Sequence, residues 1–223
     1  MKLFIDSANL KDIEDCLKKG VISGITTNPS ILSKEPKTDF VEHIKKIAEL
    51  CVKHNQIIPL SVEILKEKPA EMYDEAKEYV KQINYENINI KIPLTGWDEL
   101  EVIRNLTRSG IRVNCTCLFT EAQCFIAARA GAKYVSLFRG RMKDTGINAD
   151  LVIENTRNLL DNAKLDAEII IGSIRGPSEI VDSFLSGAHI VTSAPEHIKK
   201  MAMHPKSTES AAQFLNDFRQ WIK

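Results

Sequence analysis

From residue 87 the chain reads Asn-Ile-Asn-Ile-Lys-Ile. Apolar and polar positions alternate strictly, which predicts a β-strand. Ile88, Ile90 and Ile92 share one face, and Asn87, Asn89 and Lys91 share the other. On an edge strand that polar face would simply meet water, but the pattern of the remaining chain excludes this. Short β-like runs at 2–6, 23–27, 58–64, 87–92, 111–117, 133–138, 167–173 and 189–193 alternate with helical patterns such as FVEHIKKIAELCVKH and ADLVIENTRNLLDNA. Gly20, Gly110, Gly131 and Gly187 stand where a helix must stop before the next strand. Strict βα alternation implies parallel strands joined by right-handed crossovers. Eight such units predict an α/β fold, a single (β/α)8 (TIM) barrel over residues 1–223. The rival, an open doubly wound sheet, lacks its usual glycine-rich nucleotide loops here. One element is left over. Ala211, Phe214, Leu215, Phe218, Trp221 and Ile222 follow a helical period within about 206–223. This additional C-terminal helix is expected to cover one end of the barrel or to dock on a neighbouring subunit.

The same alternation sorts each strand into an outer face against the helices and an inner face toward the barrel axis. Leu3, Ile5, Leu60, Val62, Ile64, Val135 and Leu137 sort outward, as do Cys115 and Cys117. The inner set then holds Asp6, Thr26, Asn28, Ser61, Glu63, Lys91, Asn114, Thr116, Tyr134, Ser136 and Phe138. On the seventh strand Ile169, Ile171, Ser173 and Arg175 share one parity, with Ile169 expected inward beside Phe4 in the deep barrel. Most of the polar members lie toward the C-terminal strand ends, where barrel active sites form. A lysine and two carboxylates buried together must form either a satisfied network or a functional site.

Charge and composition narrow the partners. Thirty basic residues balance thirty acidic ones, giving no net charge and no basic stripe for nucleic acid. No apolar run is long enough for a membrane span, and the first residues lack a signal-peptide pattern, so a cytoplasmic location is expected. The five cysteines are odd in number and contain no C-x-x-C pair, consistent with free thiols in a reducing compartment. The C-x-C at 115 and 117 has no histidine pair or second cysteine pair at ligand spacing, so no metal is expected.

The inner set suggests a specific chemistry. A lysine amine taken out of water gives up its proton more readily and can then attack a ketone to form a Schiff base. The resulting iminium is an electron sink that allows a neighbouring carbon–carbon bond to break. One carboxylate must take a hydroxyl proton as the bond breaks, and another must manage the water lost and regained at the imine carbon. Asp6 and Glu63, on different strands, can divide those tasks. Arg141 and Arg175 follow the sixth and seventh strands, where phosphate sites of this fold are common, and arginine forks match phosphate oxygens.

Read together, FIDSAN, GITTNPS, SVE, IKIP, NCT, SLFRGR and GSIR resemble the transaldolase family in its short, bare-barrel branch, across nearly the whole chain. The resemblance implies Lys91 as the Schiff-base lysine, Asp6 as acid/base, Glu63 as the water-handling carboxylate and Thr116 as partner to the catalytic water. It implies Asn28 and Asn114 on the donor's hydroxyls, and Ser136, Arg141, Ser173 and Arg175 on the phosphate. It also implies sugar phosphates as substrates, no cofactor, and ring-shaped homo-oligomers, pentamers or decamers, in which the C-terminal helix reaches a neighbour. Two positions depart from the family pattern: Leu137 stands for a proline, and Arg139, expected to point to solvent, for a small apolar residue. Within the family, fructose-6-phosphate aldolase carries glutamine and tyrosine where Glu63 and Phe138 stand. A phenyl ring cannot protonate an enamine, so these two positions point to transfer rather than cleavage. A non-catalytic sugar-phosphate-binding barrel is a further alternative, although binding alone does not require a buried amine.

Overall fold

Eight parallel strands close into a barrel in sequence order, β1 to β8, with β8 pairing back to β1. The computed structural model describes residues 1–222; Lys223, the last residue of the expected C-terminal helix, lies outside them. The strands are β1 Lys2–Asp6, β2 Ile25–Thr26, β3 Leu60–Glu63, β4 Ile88–Pro93, β5 Val113–Leu118, β6 Tyr134–Phe138, β7 Glu168–Gly172 and β8 Ile190–Ser193. Around them run α1 Leu10–Lys19, α2 Pro29–Leu32, α3 Phe40–Lys53, α4 Pro69–Ile83, α5 Glu99–Arg108 and α6 Glu121–Ala130. The ring continues with α7 Arg139–Asp144, α8 Ala149–Asn162, α9 Pro177–Leu185 and α10 Pro195–Met201, and α11 Pro205–Trp221 follows. The helices begin and end as their residues dictate. The Asn9 side chain caps the first turn of α1, and Gly20 ends it in the left-handed region at φ 65°.

The apolar interior is divided by the sheet. Ile5, Ile25, Leu60, Val62, Ile90, Ile92, Val135, Ile169 and Ile171 belong to the large core between strands and helices. Inside the barrel, Phe4, Tyr134, Ile170 and Ile190 form a separate small cluster. Phe4 fills this space so closely that a Cβ added at Gly24 would fall 2.3 Å from its ring, so only glycine fits there. The deep residue of β7 is thus Ile170, not Ile169 as expected. β7 pairs Ile169 with Val135 and Ile171 with Leu137, two outward residues of β6, and this register fixes the parity. Cys115 also faces outward, but Cys117 does not. Its φ is 63° and the β5–β6 register shifts between Cys115 and Leu118, so the bulge turns Cys117 inward.

α11 buries none of its residues against its own barrel, which excludes the simple lid. Phe214, Phe218 and Trp221 remain 70%, 56% and 80% exposed. Among the described residues, no helix is long and apolar enough to cross a membrane.

Arg139 overturns the expectation of a solvent-facing side chain. It opens α7 and is 3% exposed. Its fork donates to Asp150, with Nη2 at 3.1 Å from Oδ2, and its Nη1 reaches Ser183 Oγ at 3.4 Å. Asp182 stands at 3.9 Å. α7 is therefore tied to both α8 and α9 by one buried guanidinium, which in turn holds the Asp150 carboxyl below its ordinary range. A buried cation stripped of its partner is costly, whereas an apolar replacement of similar volume is not. Asp150→Ala should therefore cost about 2–3 kcal/mol of stability in urea unfolding. Arg139→Met should cost less than half as much; equal losses would mean that the charge pair has no special part in the packing.

Candidate active site

A cavity of about 350 Å³ opens at the C-terminal end of the barrel, and every strand contributes to its wall. Register places the central groups. Glu63 on β3 and Lys91 on β4 are direct partners, as are Lys91 and Asn114, Pro93 and Thr116, and Asp6 and Thr26. All point inward by alternation, so neighbours in register meet inside the barrel. Lys91 Nζ lies 2.7 Å from Glu63 Oε2 and donates to the Thr27 carbonyl at 2.8 Å. Its side chain is 6% exposed, so Glu63 supplies the counter-charge that such burial requires. Asp6 faces the same cavity and accepts a hydrogen bond from Thr26 Oγ1 at 2.7 Å. Burial raises the Asp6 carboxyl above its ordinary value of 3.8. Lys91, the Thr26 hydrogen bond and Lys34 oppose that shift, and Glu63 adds to it.

One wall is a chain of neutral groups. Ser136 Oγ donates to Asn114 Oδ1 at 2.6 Å, and Asn114 Nδ2 donates to Ser61 Oγ at 3.2 Å. These bonds fix the Asn114 amide while leaving it one proton and one lone pair for a ligand. Asn28 is held differently. Its Oδ1 caps α2 by accepting from Ile31 N at 3.0 Å, and its amide protons meet no protein acceptor among the described residues. The Thr116 hydroxyl is fully buried in the wall and meets no protein partner among the described residues.

At the mouth, Arg141 lies over the Phe138 ring at 5.0 Å, and Phe138 meets Phe119 edge-on at 6.0 Å. Ser173 reaches the cavity from a left-handed turn, φ 58°, just past the end of β7. Gly140 N donates to the Ser173 carbonyl at 2.9 Å, and an added Cβ at Gly140 would fall 2.4 Å from that oxygen. α7, which carries Arg141, therefore seats directly on the Ser173 turn. Cys117 lines the wall as a thiol, and burial raises its pKa.

The match to known proteins is with the family described as Transaldolase/Fructose-6-phosphate aldolase, over residues 3–222. The chain belongs to that family. It is 40% identical over 220 residues to a probable transaldolase of Desulfosudis oleivorans, covering 99% of each chain. It is 37% identical to a probable transaldolase of Symbiobacterium thermophilum, covering 98% of this chain and 97% of that one. Among solved structures, thiamine phosphate pyrophosphorylase from Pyrococcus furiosus shares the fold with a TM-score of 0.60 at 7% identity, over 86% of this chain and 85% of that one.

For this family member, the structure gathers Asp6, Thr26, Asn28, Glu63, Lys91, Asn114, Thr116, Ser136, Phe138, Arg141 and Ser173 around one cavity. Ser61 lies behind the wall as the partner of Asn114, completely buried. Arg175 stands outside the wall, where it forms a two-point pair with Asp144, Nη1 at 2.6 Å from Oδ1. Cys117, Ile31, Ile170 and Thr192 also line the cavity. Alternation along β8, which puts Ile190 and Thr192 on one parity, is enough to locate Thr192. Cys117 required knowledge of the bulge.

The raised Asp6 carboxyl has a consequence for stability. It holds its proton more tightly in the folded chain than in the unfolded one, so ionising it opposes folding. That cost is absent below the unfolded value near 3.8 and builds as pH rises through the higher folded value. Asp6→Asn should therefore raise the melting temperature at neutral pH, and the gain should shrink as the pH is lowered toward 3.8. Thermal scans of both proteins across that range test it; a lower Asp6→Asn melting temperature at neutral pH would contradict the assignment.

Proposed function

We propose that this protein is a transaldolase. It moves a dihydroxyacetone unit from fructose 6-phosphate, or sedoheptulose 7-phosphate, to an aldose phosphate such as erythrose 4-phosphate or glyceraldehyde 3-phosphate. The observation that carries this reading is a buried lysine 2.7 Å from one carboxylate, with a second carboxylate on the same cavity.

The cycle begins when Glu63 takes a proton from the Lys91 ammonium. The freed amine attacks C2 of fructose 6-phosphate, and the C2 oxygen leaves as water to give an iminium. Asp6 accepts the C4 hydroxyl proton as the C3–C4 bond breaks. The bonding electrons move into the iminium, and glyceraldehyde 3-phosphate departs. The lysine-bound enamine then adds through its C3 to the aldehyde carbon of erythrose 4-phosphate, and Asp6 returns its proton to the new hydroxyl. Water adds to the iminium, with Glu63 and the Thr116 hydroxyl at hand to hold and deprotonate it, and sedoheptulose 7-phosphate leaves. Asn28 and Asn114 hold sugar hydroxyls. Ser136, Ser173 and Arg141 bind phosphate, and Arg175 joins them by exchanging Asp144 for the substrate. Phe138 offers no proton to the enamine, which favours transfer over release of free dihydroxyacetone. The five unpaired thiols fit a cytoplasmic enzyme.

Incubation with fructose 6-phosphate, with and without erythrose 4-phosphate, tests this reading. Glyceraldehyde 3-phosphate should accumulate only when the acceptor is present, and borohydride should fix a three-carbon unit on Lys91. Equal labelling of Lys91→Met would remove Lys91 from the mechanism. Rapid acceptor-independent release of dihydroxyacetone would favour the aldolase.

The same reading extends to assembly. The aromatic face of α11 is unpartnered among the described residues, and aromatics bury on the order of 150–250 Å² each, enough to anchor a subunit contact. A homo-oligomer, pentameric or decameric, would cover it. Light scattering should give a multiple of 25.1 kDa that falls on truncation after His204; a full-length species at the monomer mass would refute it.

A further inference from the structure

Thr192, on β8, takes no part in the cycle above, yet it sits one hydroxyl away from the acid/base carboxylate. Its Oγ1 lies 2.6 Å from Thr26 Oγ1, which in turn donates to Asp6 Oδ1 at 2.7 Å. Both threonines are nearly dry, 5% and 3% exposed. A threonine hydroxyl has one proton. When Asp6 is ionised, Thr26 spends its proton on the carboxylate and can only accept from Thr192. The direction of the chain is therefore set: Thr192 donates to Thr26, and Thr26 donates to Asp6. In a site shielded from water each link polarises the next, so the outer hydroxyl strengthens the inner bond. Asp6 Oδ2 meets no protein donor among the described residues, so the chain commits one carboxylate oxygen and leaves the other toward the cavity. A valine has nearly the shape of threonine, so packing alone would not call for a hydroxyl at position 192.

We infer that Thr192 is a positioning residue for the proton transfer at Asp6, acting through Thr26 to anchor Oδ1 and present Oδ2 to the substrate hydroxyl. The inference rests on Asp6 being the acid/base of the proposed cycle. The charged groups around Asp6 are Lys91 on β4, Glu63 on β3 and Lys34 beyond α2. Substitution at position 192 leaves all three in place, so a change at Asp6 reports the hydroxyl chain.

The test compares Thr192→Val and Thr192→Ser with wild type in two measurements. The first is the pH profile of transfer from fructose 6-phosphate to erythrose 4-phosphate. Thr192→Val should lower kcat roughly three- to tenfold, the worth of one hydrogen bond, with KM within about twofold. The acidic limb of its kcat/KM profile should move to higher pH, because the ionised carboxylate has lost support. Thr192→Ser should restore both. The second is the titration of the Asp6 carboxyl carbon by NMR in the ligand-free, aspartate-labelled protein, assigned by its loss in Asp6→Asn. It should move upward in Thr192→Val and return in Thr192→Ser. Unchanged titration and kcat in Thr192→Val would overturn the inference, as would a loss that Thr192→Ser fails to rescue. If the wild type neither transfers nor traps a borohydride adduct, the transaldolase reading fails, while the carboxyl titration still decides the hydroxyl chain.

Discussion

The contact between Lys91 and Glu63 is the constraint around which the barrel interior is arranged. A lysine inside a barrel is tolerated only when a countercharge and hydrogen-bond acceptors come with it. β3 and β4 supply the countercharge because their parallel register makes Glu63 and Lys91 direct partners. The next acceptor, the Thr27 carbonyl, comes from the chain just beyond β2. Below these groups Phe4, Tyr134, Ile170 and Ile190 seal the barrel, so the charged layer has water on one side only. In the proposed cycle this same contact gives the Lys91 proton a carboxylate to pass to.

The mouth of the cavity follows a different logic. Here a short turn, α7, carries Arg141, and its position depends on contacts to three other elements. Gly140 rests on the Ser173 carbonyl, Arg139 reaches α8 and α9, and Lys143 pairs with Glu179 at 2.7 Å. Glu179 in turn accepts from Arg175 N at 2.9 Å. The buried guanidinium of Arg139 is thus part of the scaffold behind the mouth of the cavity, where Arg141 lines the wall and Arg175 stays paired with Asp144.

Backbone strain is concentrated at the same place. Among the non-glycine residues with positive φ, Asn55, Asn84 and Lys164 lie just past helix ends, where the left-handed region is common. Cys117 and Ser173 are in the barrel wall, and both line the cavity. Each breaks the two-residue period of its strand and turns inward a side chain that simple alternation would misplace or miss. Such conformations cost about 1–3 kcal/mol and persist where the surroundings enforce them.

Alternation along the chain was sufficient to determine the number and order of the strands and the inward set from Asp6 to Phe138. These follow from local periodicity, which depends only on neighbouring residues. Three matters were decided by tertiary structure. Whether Ile169 or Ile170 fills the barrel depended on the register of β7 against β6, which local pattern does not contain. The inward turn of Cys117 depended on a bulge in pairing with the neighbouring strand. The burial of Arg139 depended on carboxylates 11 and 43 residues further along, brought together by α8 and α9. Each is a property of contacts between distant segments, and such contacts exist only once the barrel has closed.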